Sequence, residues 1–158
     1  MVSYQYQRAI IKPLYLQRHM HIIQTHWAAH AAELRHIREL VFIIEQAVPV
    51  ALEWDGLDET AIHLLLFVEN KAVACARILN FNQIGRMAVL ANYRRLGLGL
   101  ELLNKAIDIC KIKGATSVIL SAQVYAIPFY EKAGFVVNSD VYDDAGIAHR
   151  DMVLNTVA

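Results

Sequence analysis

An apolar, strand-like run, "IGRMAVL" (84–90), passes through "YRRLGLG" (93–99) into a segment in which Leu102, Leu103, Ala106, Ile107 and Cys110 recur at helical spacing, with Gly114 where a C-terminal cap belongs. A strand that feeds a helix through a glycine-arginine turn demands a fold in which sheet and helix pack together. The first turn of a helix presents unpaired N–H groups and the positive end of its dipole, and glycines let the backbone approach a ligand closely. The junction therefore suits a phosphate. Two nucleotide cradles are excluded by their neighbours. A Walker turn needs Lys-Ser/Thr after its second glycine, where this chain has Leu100 and Glu101, and the dinucleotide fingerprint needs a small third residue, where it has Leu102. What remains is R-x-x-G-x-G, formed by Arg94, Gly97 and Gly99, which by itself fits a basic capped turn as well as a cradle.

The other segments can be placed around this junction. "MHIIQTHW" (20–27) reads as a strand, and "HAAELRHIRELVFIIEQ" (30–46) as a helix with Leu34, Ile37, Val41 and Ile44 on its buried face and Arg35, Arg38 and Glu39 turned away. "AIHLLLFVEN" and "AVACARILNF" flank a turn at Asn70 and Lys71 as a hairpin, and Gly85 in the following strand marks a bulge or a close backbone approach. "TSVILSA" reads as a strand, "AIPFYEKAG" as a short helix, and "FVVNSDVYDD" with "IAHRDMVLN" as a closing hairpin. The order is mixed: an α/β chain with hairpin-linked and helix-linked strands. Residues 1–19 lack clean periodicity and are read as an N-terminal extension or arm, followed by a single domain over 20–158. The apolar "AIIKPLYL" within the arm could cover its own sheet or a partner's, which tilts the expectation toward a homodimer.

Although hydrophobic residues make up 56% of the chain, no run approaches the roughly 18 apolar residues of a membrane span, and the N-terminus does not read as a secretory signal. A cytoplasmic protein without a membrane role is expected. Cys75 and Cys110 read as reduced core thiols, and no histidine has a partner at metal-ligand spacing. Fifteen basic residues balance fifteen acidic ones, which argues against nucleic-acid binding. The charges are nevertheless segregated. From Glu39 to Asn70 there are seven acids and no Lys or Arg, and from Lys71 to Lys113 eight bases face two acids. One stretch suits a cation and the next an anion, or the two cancel as surface charge.

R-x-x-G-x-G resembles the pyrophosphate-binding motif of the GNAT superfamily of N-acetyltransferases. Many of its members carry, after the next strand, an amide residue, an alanine three positions on, an aromatic-tyrosine pair and Gly-Phe. Gln123, Ala126, Phe129, Tyr130, Gly134 and Phe135 stand in that spacing. "VFIIEQAVP" (41–49), "DGLD" (55–58) followed by His63, "IGRMAV" and "VYDDAGIAHRDMVL" (141–154) are similar to the ElaA-like subgroup, so the resemblance spans about residues 20–155. It implies a GNAT-like acyl-CoA N-acyltransferase fold, with a central mixed, splayed sheet of about six to seven strands flanked by about four helices.

The resemblance also implies acetyl-CoA as acyl donor, no metal, and direct transfer to an amine of a small molecule or peptide. Backbone N–H groups of Leu96, Gly97, Leu98, Gly99 and Leu100 would face the pyrophosphate, with Arg94 and Arg95 adding charge. Met87, Ala88 and Val89 would pair with the pantetheine arm and supply an oxyanion donor, while Gln123 and Phe129 complete the cofactor site. Tyr130 corresponds to the proton donor for the leaving thiolate, or else is a tyrosine packed on the core. The carboxylate that some relatives carry on the fourth strand is missing from "IGRMAVL"; Glu45, Asp55, Asp58 and His63 are the candidates for the base, with Glu45 favoured because it ends the first helix and a water chain as the alternative, and Asp55, Asp58 and His63 are also expected acceptor-site residues. The acidic stretch would then favour a cationic amine. A non-catalytic acyl-CoA-binding module, and an interaction domain that binds no CoA, are the competing readings.

Overall fold

The computed structural model describes residues 13–157. The expected arm therefore lies outside the described residues over 1–12. Its last seven residues form helix α1 (Pro13–His19), which places Leu16 in the core and runs directly into strand β1 (Met20–Thr25).

Eight strands form one mixed sheet: β1, β2 (Ile62–Val68), β3 (Lys71–Leu79), β4 (Gln83–Val89), β5 (Ser117–Gln123), β6 (Val136–Val137), β7 (Tyr142–Asp144) and β8 (Ile147–Asn155). Their order is β1-β2-β3-β4-β5-β8-β6, with β7 also paired to β8. Only β4 and β5 run parallel, because helix α4 (Leu98–Ile112) carries the chain between them. Among the described residues the helices are α1, α2 (Trp27–Arg38), the four-residue α3 (Val50–Glu53), α4 and α5 (Ile127–Glu131). None of these is long and apolar enough to cross a membrane.

Leu64, Leu65 and Leu66 are successive residues of β2 and all fully buried, so both faces of the sheet are covered there. Leu34 and Ile37 of α2 and Leu102 and Leu103 of α4 complete this core. The β2–β3 hairpin turns at Glu69 (φ 49°) and Asn70 (φ 67°), one residue earlier than expected. Two successive left-handed residues match the right-handed twist of the strands they join.

Two expectations for the first helix fail. Beyond Arg38 the helix widens to π geometry over Glu39–Glu45, with Gln46 N–H donating to the Val41 carbonyl at 3.2 Å. The wider turn breaks the 3.6-residue phase, so Ile44 points outward at 70% exposure while Leu34, Ile37 and Val41 stay buried. Arg38, expected on the solvent side, is 1% exposed.

Arg38 lies inside because three arginines meet three carboxylates there. Its Nε donates to Glu53 Oε1 and its Nη1 to Asp58 Oδ1, both at 2.6 Å, and its guanidinium lies 4.8 Å from the Trp54 ring centroid. Arg77 of β3 donates to both Asp55 oxygens at 2.7 and 2.9 Å and to Asp58 Oδ1 at 3.0 Å. Arg86 of β4 lies 3.2 Å from Glu53 Oε2 and donates to Asp55 Oδ2 at 3.2 Å. The acidic and basic stretches thus neutralise each other in the interior.

Arg86 also sits in a bulge. Between the register pairs Arg77↔Gly85 and Cys75↔Ala88, Arg86 and Met87 oppose the single residue Ala76, and Arg86 takes a left-handed φ of 48°. The expected irregularity falls one residue beyond Gly85. β4 then pairs with β5 at one position, Gln83↔Ile119, and past it the strands splay apart.

Replacing Arg38 with Met leaves Glu53 and Asp58 buried without their central partner and is expected to cost about 3–5 kcal/mol, read in urea unfolding as a lower midpoint at unchanged m. Burial alone would raise the Asp55 carboxyl above its ordinary value of 3.8, but hydrogen bonds from Arg77 and the Leu57 N–H, with the charges of Arg77 and Arg86, hold it at about 2. Its stabilisation is therefore complete above about pH 4 and lost as pH falls toward 2. At a quarter-exposed side chain, screening leaves about 1 kcal/mol of the full linkage value. Unfolding free energies measured between pH 5 and 2 are expected to fall less steeply for Asp55→Asn than for the wild type.

Candidate functional site

From the end of β4, one turn of 3₁₀ helix (Ala91–Tyr93) brings the chain to the glycine turn. Arg95 (φ 62°) and Gly97 (φ 81°) are left-handed on either side of Leu96, an alternation that turns successive N–H groups toward one side and forms an anion-binding concavity. Gly97 is the N-cap of α4, and the Glu101 N–H donates to its carbonyl at 3.2 Å. The N–H groups of Gly97, Leu98, Gly99 and Leu100 are therefore the orphan donors of the first turn. With exposed Arg95 beside them, they fit a pyrophosphate.

Arg94 is occupied elsewhere. Its Nη1 and Nη2 donate to Glu45 Oε1 and Oε2 at 2.6 and 2.9 Å, and its Nε donates to the Val89 carbonyl at 2.8 Å. This side chain ties the turn to β4 and to the π-helical segment. Of the two arginines expected at the phosphates, Arg94 is engaged away from the turn and Arg95 is exposed beside it.

The two sequence motifs meet at Gly99. A Cβ on Gly99 would lie 3.4 Å from the Phe129 ring and 3.6 Å from Val89, so the bare glycine lets α5, β4 and the start of α4 converge. Beside this junction, a cleft of about 350 Å³ opens where β4 and β5 separate; its walls include Phe42, Gln46, Met87, Gln123, Tyr130 and His149. Gln123 Nε2 donates to Gln46 Oε1 at 2.8 Å. Of the three β4 residues expected at the cofactor, Met87 lines the cleft, Val89 packs at Gly99, and the Ala88 side chain is buried in the core. Burial, with a contribution from Tyr125, pushes the Tyr130 hydroxyl up to about 12, so it is a neutral donor at any ordinary working pH.

Four expected site residues lie elsewhere. Glu45 is off the cleft wall and clamped by Arg94, whose hydrogen bond pulls its carboxyl below the usual range, so it is a poor base. Asp55 and Asp58 belong to the arginine cluster. His63 is 1% exposed with its Nε2–H donating to the Asp58 carbonyl at 2.8 Å, and burial lowers its tendency to protonate. None of these three lines the cleft. The acidic stretch therefore gives no basis for a cationic acceptor.

Reading the sequence did not single out the β7–β8 hairpin as part of the cleft. Tyr142 donates to Asp151 Oδ1 at 2.6 Å, hydrogen-bonds Ser121, and stacks on His149 with ring centroids 6.1 Å apart. His149 Nδ1 lies 2.7 Å from the Ile147 carbonyl oxygen. The available signal was a single histidine, bracketed by Ile147 and Asp151 in "GIAHRD", and nothing local ties that pattern to a cleft.

Comparisons with known proteins identify the family and the fold. A family model described as an acetyltransferase (GNAT) domain matches residues 31–156. Bacillus subtilis YjcF, described as an uncharacterized N-acetyltransferase, is 33% identical over 122 residues, covering 75% of this chain and 87% of that protein. ElaA of Escherichia coli is 30% identical over 132 residues, 78% of this chain and 86% of its own length, and its crystal structure superposes with a TM-score of 0.77 over 85% of this chain and 98% of that one. An acyl-CoA N-acyltransferase from Pseudomonas aeruginosa, 29% identical, gives the same TM-score over the same shares.

At Gly97 a Cβ would meet nothing within 4 Å, so substitution strains only the backbone. Gly97→Ala is expected to cost about 1 kcal/mol in urea unfolding, the penalty for an L-residue in the left-handed region.

Proposed function

Since the chain belongs to the GNAT acetyltransferase family, we propose that it moves an acetyl group directly from acetyl-CoA to the primary amine of a small molecule or peptide. The observation that carries this reading is the convergence at Gly99. Phe129 of α5 and Val89 of β4 pack at Gly99 of the glycine turn, and their neighbours Tyr130 and Met87 line one cleft, although Gly97 and Tyr130 are more than thirty residues apart in the chain.

Acetyl-CoA bound there supplies an activated thioester carbonyl and a good leaving group. The N–H groups of Gly97 to Leu100, with Arg95, hold the pyrophosphate. Beyond Gln83 the edge of β4 turned toward β5 pairs with no strand among the described residues, so its backbone groups, apart from the Val89 carbonyl that accepts from Arg94, are open to an extended arm that pairs as a further strand would. On that edge, an N–H at Met87 or Val89 donates to the oxygen on which negative charge develops. Tyr130 gives its phenolic proton to the departing sulfur. The hydroxyl is a weak enough acid to wait protonated at neutral pH.

Acetyl-CoA at about 100 times its dissociation constant is expected to raise unfolding stability by about 2.7 kcal/mol, seen as a higher melting temperature. Tyr130→Phe is expected to keep that shift and to lose about 100-fold or more in CoA release with a panel of primary amines. An unshifted melting temperature would exclude acetyl-CoA as ligand. Binding by a wild-type protein that turns over no amine would make the chain an acyl-CoA-binding module.

A further inference from the structure

We propose that His149 is the general base of the transfer, taking the proton that the acceptor amine sheds as it attacks; the assignment rests on the acetyltransferase reading above. His149 stands on β8 in register with Gln123 of β5 and Tyr142 of β7, so the three side chains share one face of the sheet. That face forms the wall of the cleft shared with Tyr130 and Met87.

The hydrogen bonding of its ring selects one tautomer. A carbonyl oxygen only accepts, so the 2.7 Å contact with Ile147 requires the proton on Nδ1 and leaves the lone pair of the neutral imidazole on Nε2. Nε2 has no protein partner among the described residues, and His149 lines the cleft. The Tyr142 ring stacks on the imidazole, and the hydroxyl of Tyr142 is anchored by Asp151 and Ser121, so these three are positioning residues.

The other candidates fail on geometry or chemistry. Glu45 is clamped by Arg94, His63 donates its Nε2 proton to the Asp58 carbonyl, and Glu53 belongs to the arginine cluster. Asp144 is an exposed carboxylate on the rim, a class of group too acidic to be a good base near pH 7. The ionisable side chains around His149 are Tyr142, Asp144 and Asp151 on its own hairpin, and Tyr125, Tyr130, Glu53, Arg77 and Arg86 in the other walls of the cleft.

In the step itself, a bond forms from the amine nitrogen to the thioester carbonyl carbon and the carbon–sulfur bond breaks. The amine proton passes to His149 Nε2, and the sulfur takes the proton of Tyr130. The imidazolium returns its proton to solvent, and the phenolate recovers one from it. An amide and a free thiol are the net products.

His149→Asn provides the test, because its amide can still donate to the Ile147 carbonyl from the position of Nδ1 while Nε2 is gone. The purified variant is expected to keep the acetyl-CoA melting shift and a KM for acetyl-CoA within about twofold of wild type. Its kcat, for amines and for the slow hydrolysis of acetyl-CoA by water, is expected to fall about 100-fold or more, and the acid limb of the wild-type pH profile to disappear. His149→Gln serves as a second variant should the first not fold. Independently of turnover, nitrogen NMR of the wild type is expected to show His149 protonated on Nδ1. An Nε2–H tautomer, or variant turnover within about threefold of wild type at unchanged pH dependence, overturns the assignment and leaves the acetyltransferase reading intact. A wild type that binds acetyl-CoA but transfers to neither amine nor water overturns both.

Discussion

The meeting of Arg38, Arg77 and Arg86 with Glu53, Asp55 and Asp58 is the interaction on which the rest of the structure depends. All three carboxylates come from one short connection over residues 50–60, in which Val50, Leu52 and Leu57 are exposed, whereas the arginines come from α2, β3 and β4. The charges balance three against three, and Arg77 grips Asp55 through both oxygens, so burial is offset by short, directional hydrogen bonds. The cluster, with the His63 hydrogen bond to the Asp58 carbonyl, fixes that connection against the sheet. With it, Glu53 and Leu52 become part of the cleft wall.

The cluster and the cleft are coupled through the bulge. Arg86 reaches the carboxylates from a strand that carries an extra residue at that point, and its left-handed backbone is a strain that the ion pairs help to sustain. An extra residue increases local twist and bends the strand. Past Gln83, β4 therefore diverges from β5 and leaves an edge whose backbone groups require partners from outside the sheet. The glycine turn follows this strand because α4 starts just beyond the end of β4. One irregularity thus places a free strand edge beside a helix N-terminus.

Much of this was legible in the chain. The glycine turn, the helix after it and the aromatic pair on α5 are local patterns whose meaning depends on a few neighbouring residues, and all were found where expected. Errors arose where a local rule met a remote partner. Helical periodicity put Arg38 on the solvent side and Ile44 on the core side, and both were reversed, the first by carboxylates 15 and 20 residues away and the second by a π turn that periodicity does not register. Arg77 inside the apolar "AVACARILNF" was the one local hint that a charge is buried and paired in this region. Segregated charge runs were read as facing different ligands, yet Arg77 and Arg86 of the basic run bind carboxylates of the acidic run.

By itself the sequence determined an α/β fold of the GNAT type and a glycine turn that opens a helix near Gly97, because such a turn needs only adjacent residues to form. Tertiary structure alone decided which ionisable groups are free to do chemistry. Glu45, Asp55, Asp58 and His63 are in no way marked as occupied in the sequence, and His149 is in no way marked as available. That distinction depends on which partners the folded chain brings within 3 Å, and residues distant in sequence supply most of them.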